Sequence, residues 1–205
     1  MVNASQLPMG IQQSVASQIA QRLPVLPFGS GHLDPKGVEL DLGLEPNPGG
    51  QELQLTESFP IWSLGLDAIK SKSKNVANLA RSTGYWHHQI GDGKAAYRYA
   101  RSKANEQLTD FTVTEVGSSS IAAKVDQSVS WIDSNVATDA EVRMLIVPAY
   151  GVTAFWLVLP TENDVVVVER PIYDEKLISL RHLYTFDDFV TALSSVPPSI
   201  GVPDQ

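Results

Sequence analysis

Two adjacent histidines, His87 and His88, stand among Tyr85, Trp86, Tyr97, Tyr99 and a run of cations, and by residue type they are suited to proton transfer or metal ligation. Neighbours on a strand point to opposite faces, so one ion is not held by both, and only His32 and His182 remain to complete a site. No metal and no cofactor are expected. The ordinary alternative is one imidazole half-buried and hydrogen-bonded, with the other at the surface. As a general acid or base, His87 or His88 beside Arg98 and Arg101 would suit a phosphorylated or carboxylated small substrate.

Other reactive patterns are weaker. Ser71 and Lys74 have Ser-x-x-Lys spacing inside the run Ser71-Lys72-Ser73-Lys74, without the accompanying elements of that motif. There is no Gly-x-Ser-x-Gly elbow. Gly29-Ser30-Gly31 lacks the third glycine of a dinucleotide fingerprint, and no phosphate-binding Gly-x-x-x-x-Gly-Lys-Ser/Thr loop occurs. Asp187-Asp188 suits a helix N-terminus better than acid–base work, and Asp174-Glu175 is the other acid pair. No catalytic residue is assigned.

The strongest signal is charge. From Ile69 to Lys103 the chain carries Lys70, Lys72, Lys74, Arg81, Lys94, Arg98, Arg101 and Lys103 against the single acid Asp92, about +7; taken from the net −8, this leaves −15 elsewhere. The acids concentrate upstream. From Pro24 to Pro60 come Asp34, Glu39, Asp41, Glu45, Glu52 and Glu57 with six prolines and six glycines, a composition that disfavours regular structure. Val25, Leu26, Phe28, Val38, Leu40, Leu42, Leu44, Leu53 and Leu55 give this arm apolar anchors, so it is read as draped over its own domain.

Elements that could position these residues follow from periodicity. Ile11, Val15, Ile19 and Leu23 form a helical stripe that Pro24 ends. Asn75 to Ser82 reads as a short helix capped by Gly84. Tyr85 to Ile90 and Ala95 to Arg101 flank Gly91-Asp92-Gly93-Lys94 as a β-hairpin, with Trp86, His88 and Ile90 inward, and Tyr85, His87 and Gln89 outward beside the cations. The register of the second strand is open, so Tyr97 and Tyr99 are either exposed or core. Phe111 to Val116 is a third strand. Ile121, Val125, Val129, Ile132 and Val136 make one face of a long helix, and Val142–Val147, Val152–Leu159 and Val165–Glu169 read as an antiparallel meander. Thr185-Phe186-Asp187-Asp188 has the form of a capping box before a helix stopped by Pro197 and Pro198.

The expected fold is α+β: a mainly antiparallel sheet, hairpin plus C-terminal three-strand meander, covered by helices on one side. Residues 1–60 form the N-terminal helix and acidic arm, and 61–205 a single globular domain. With no cysteine, disulfides and thiolate chemistry are excluded. The start lacks the basic and apolar regions of a secretory signal and no run is long enough to span a membrane, so a cytoplasmic location is expected. A pI near 4.9 argues against nucleic acid as a partner.

Function is read as a non-catalytic interaction or assembly module. Its basic, aromatic helix–hairpin patch, Lys70, Lys72, Lys74, Arg81, Tyr85, His87, Lys94, Tyr97, Arg98, Tyr99 and Arg101, would dock an acidic protein surface or the acidic arm of a neighbouring copy, giving a homo-oligomer. The alternatives are the histidine-dependent small-molecule enzyme and nucleic-acid binding through aromatic stacking on the same patch.

Overall fold

The computed structural model describes residues 3–4, 7–22, 54–71, 75–91, 96–117, 119–137, 139–160, 163–170 and 178–198. Most of the acidic arm, with Lys72, Lys74 and Lys94, lies outside them. Strands are β1 (Asn3–Ala4), β2 (Gln54–Ser63), β3 (Arg81–Gly91), β4 (Ala96–Ala104), β5 (Phe111–Gly117), β6 (Glu141–Val147), β7 (Val152–Val158), β8 (Val165–Arg170) and β9 (Leu183–Thr185). Helices are α1 (Met9–Arg22), α2 (Leu66–Lys70), α3 (Ser119–Asn135) and α4 (Phe186–Ser194). The fold is α+β with a mainly antiparallel sheet, in which β1 and β2 each pair in parallel with β6.

The chain forms two compact units. The first comprises Met1–Ser5, Phe59–Tyr85 and Gln127–Gln205; the second comprises Gln6–Ser58 and Trp86–Asp126. Strands β2 and β3 and helix α3 each contribute to both.

In the first unit β2, β6, β7, β8 and β9 are successive neighbours. Both connected pairs, β6–β7 and β7–β8, are antiparallel, with Leu145 opposite Ala154 and Phe155 opposite Val167. Their β-branched and aromatic residues suit a pleated surface, and β7 buries Val152, Ala154 and Trp156 on one face, Phe155 and Leu157 on the other. Onto the Trp156 face pack Ile69 of α2 and Phe186, Phe189, Val190 and Leu193 of α4. Helix α4 starts where its sequence says it should. Thr185 Oγ1 accepts from the Asp188 backbone N–H at 3.1 Å, and its hydroxyl donates to the Asp188 carboxylate at 2.7 Å. The guanidinium of Arg143 lies 4.4 and 4.6 Å from the rings of Trp62 and Trp156 while bonded to Glu141 at 2.8 Å.

In the second unit β5, β4 and β3 are neighbours in that order. Val15 and Ile19 of α1 join Ile90, Ala100, Phe111 and Val113 in one apolar cluster. Tyr99 packs with Ala122 of α3 in another. Adjacent strand residues point opposite ways, so Tyr99 and Ala100 show that the helices cover both faces, in place of the single covered face expected from sequence. Edge strand β5 is closed by a side chain: Gln18 donates to the Phe111 carbonyl at 2.7 Å and accepts from Val113 N–H at 3.0 Å, standing in for another strand.

Two local expectations fail for the same reason. The helix expected over 75–82 is a single 3₁₀ turn, Val76–Leu79, and Gly84, expected as its cap, lies at φ +73° inside β3. One helical turn holds few hydrogen bonds, and strand pairing takes the residues after Ala80; the Thr83 hydroxyl donates to the Ile61 carbonyl at 2.7 Å. Likewise the last part of the arm, from Gln54, is strand. Pro60 lacks an N–H, but sits just before Ile61, the first residue in register with β6.

Candidate functional site

The residues singled out by charge and chemistry separate into an interior set and a surface set. His87 (1 % exposed), Arg98 and Tyr99 (4 %) are buried. Lys70 and Arg81 are exposed, Tyr85 is 37 % exposed, and Arg101 pairs with Glu115 at 3.4 Å on the surface. Lys72, Lys74, Lys94 and the side chain of Tyr97 lie outside the described residues.

The interior set is enlarged by residues that sequence reasoning did not select. On the face of β3 toward α3, the imidazole of His87 stacks on the Tyr99 ring, with centroids 5.1 Å apart and planes 12° from parallel. Its Nε2 lies 3.3 Å from Gln89 Oε1. The Gln89 amide nitrogen donates to the Ala122 carbonyl at 2.9 Å and the Asp126 carboxylate at 3.3 Å, so Oε1 is the accepting end and the proton belongs on His87 Nε2. On the opposite face His88 bridges two serines, Nδ1 to Ser58 Oγ at 2.9 Å and Nε2 to Ser102 Oγ at 2.6 Å. Either tautomer is satisfied, because each hydroxyl can donate or accept.

Gly117 faces Tyr99 across the β4–β5 register, and a Cβ there would fall on the phenol ring. The glycine lets the ring lie flat over the strand, and its hydroxyl donates to Glu115. Burial, that hydrogen bond and the Glu115 charge push the phenol up to about 12, against the opposing effect of Arg101.

Desolvation dominates both imidazoles. It lowers His87 to about 4, with the Gln89 bond opposing and the Arg101 charge adding to the fall. It lowers His88 to about 3, with His87 contributing. Both rings are buried and neutral at ordinary pH, His88 bonded through both nitrogens and His87 through Nε2, which corrects the expectation of an outward His87 and Gln89 and of only one buried histidine. The missed signal was the pair of amphipathic stripes at 11–23 and 121–136. Each stripe needs sheet surface to cover, and when the two helices take opposite faces the strand polar groups between them must find partners.

Among the described residues no group of three or more His, Asp or Glu side chains is placed to hold a metal ion, and no helix is long and apolar enough to cross a membrane.

Apart from Arg101, which lies in the second unit, the surface set lies on elements of the first unit. Lys70 ends α2, which packs with the 76–79 turn and α4, and Arg81 and Tyr85 follow in β3. Lys70 also borders a shallow groove of about 550 Å³ whose lining includes Ile69, Tyr150, Val196, Pro197 and Pro198. Compared with known proteins, the chain matches no family model, no curated protein and no solved structure.

Proposed function

We propose that this chain is a non-catalytic docking or assembly module that engages an acidic polypeptide through exposed cations of its first unit, chiefly Lys70 and Arg81 with Tyr85. The observation that carries the reading is the partition of the basic stretch: its histidines are internal, neutral and hydrogen-bonded, while Lys70, Arg81 and Tyr85 face outward. A general acid or base must reach substrate, so the burial of His87 and His88 speaks against the enzyme reading. The acidity of the whole chain disfavours the densely charged backbone of nucleic acid, and the exposed cations suit a local acidic protein surface, another copy included.

Docking of this kind is salt-sensitive because the contacts are surface charges. Fluorescence anisotropy of labelled poly-L-glutamate should report binding at about 50 mM salt that is lost by about 500 mM, where the screening length shrinks several-fold. Lys70→Glu/Arg81→Glu should abolish it without changing the thermal transition. Salt-independent binding, or full binding by the charge-reversed pair, would count against the proposal.

A further inference from the structure

We infer that the groove bordered by Lys70 receives the tip of the β4–β5 connection, centred on Leu108, from a second copy of the chain. The inference rests on the docking-module reading and names its partner. The tip is held by its own hydrogen bonds. Asn105 N–H donates to the Asp110 carbonyl at 2.9 Å and Leu108 N–H to the Asn105 carbonyl at 3.1 Å. The Asn105 side chain accepts from the N–H groups of Thr109 and Asp110 at 2.9 and 3.2 Å, and donates to Thr109 Oγ1 at 2.9 Å. Within this frame Leu108 adopts φ +55° and is 52 % exposed.

That combination is costly twice over. At positive φ the Cβ of a leucine crowds the backbone, where glycine or asparagine would sit more easily. Its side chain then contributes little burial in return. A leucine held at positive φ on a hydrogen-bonded turn is the kind of backbone outlier from which a binding role is inferred. Glu106 and Asp110 flank it, both exposed.

The groove is lined by Pro197 and Pro198 over buried Ile69, Tyr150 and Val196, with Ser71, Ser194 and Ser195 as polar lining and Lys70 as a positive rim. Its volume of about 550 Å³ accommodates one leucine side chain with adjoining backbone. The acidic apolar knob and the basic, proline-lined groove are complementary in charge and chemistry. They are different patches on one chain, so the contact between copies is heterologous and propagates head to tail unless the rotation closes a ring. A knob-sized contact is below standard interface size, so association should be weak and concentration-dependent.

Sedimentation velocity of the full chain over a concentration series tests this. The parent should show mass rising with concentration at about 50 mM salt and falling toward monomer at about 500 mM. Leu108→Gly should weaken association at least about tenfold, as loss of a central anchor does, while its melting temperature stays equal or rises because glycine accepts positive φ. Lys70→Glu and Glu106→Lys should each weaken association, and the double reversal should restore part of it. Purely monomeric parent protein at every concentration, or undiminished association of Leu108→Gly, overturns the inference. Poly-L-glutamate binding separates the two proposals. If it persists in a chain that does not self-associate through Leu108, the docking module stands and this partner assignment fails; if neither is seen, both fail.

Discussion

Strand β3 in the second unit and strand β7 in the first are each covered on both faces, but they are closed with different chemistry. The covered part of β3 carries His87, His88, Gln89 and Ile90; His88 is matched to Ser58 and Ser102, Gln89 to Ala122 and Asp126, and His87 to Gln89 through Nε2. Buried β7 residues are Val152, Ala154, Phe155, Trp156 and Leu157, with only the Trp156 indole N–H needing a partner, Asp164 at 2.8 Å. Apolar burial is nondirectional and tolerant, whereas buried polar groups stabilise only while every partner is present. The second unit should therefore respond to pH and to single polar substitutions, and the first to lost volume.

The largest separation should appear in acid. Folded His87 and His88 titrate near 4 and 3 against an ordinary 6.5, so the unfolded chain binds more protons. Their contribution is fully present above pH 6.5 and is lost as pH falls toward 4, at about 1.4 kcal/mol per pH unit for each ring. Several kcal/mol should vanish over that range. Charged or titratable neighbours are Arg101, Glu115, Tyr99 and Asp126. Urea denaturation between pH 8 and pH 4 measures the slope, and His88→Asn should flatten it; an unchanged slope would break the contrast.

Phe155→Ala should cost about 3–5 kcal/mol by opening a cavity against Phe59, whose ring centroid is 5.5 Å away, with the same loss at pH 5 and pH 8. Gly117→Ala probes the second unit by steric means. Its Cβ displaces the Tyr99 ring from the strand and from His87, for about 1–3 kcal/mol, and near-ultraviolet circular dichroism should record the altered tyrosine environment. Thr185→Ala removes the α4 cap and should cost about 1 kcal/mol by thermal denaturation, the smallest of the set.

Local chemistry made parts of this molecule legible from sequence. Val125, Val129 and Ile132 are buried on the face of α3 that their spacing implied, and the Thr185–Asp188 pair forms the expected cap. What sequence could not supply was the long-range partner. Alternation separates His87 from His88 but does not say what covers either face, and Gln18 closes an edge strand more than ninety residues away. The basic patch suffered for the same reason. Counting cations located the stretch, but the burial of Tyr99 against Ala122 of α3, and of His87 stacked on Tyr99, depends on tertiary packing that charge does not report.

The partition between buried imidazoles and exposed cations is tested most directly by following the His87 and His88 ring signals by heteronuclear NMR. Both should stay neutral from about pH 8 down to about pH 5, as desolvated rings titrating near 4 and 3 must. Titration of either ring near its ordinary 6.5 in the folded protein would contradict the account and return a histidine to the surface as a candidate acid or base.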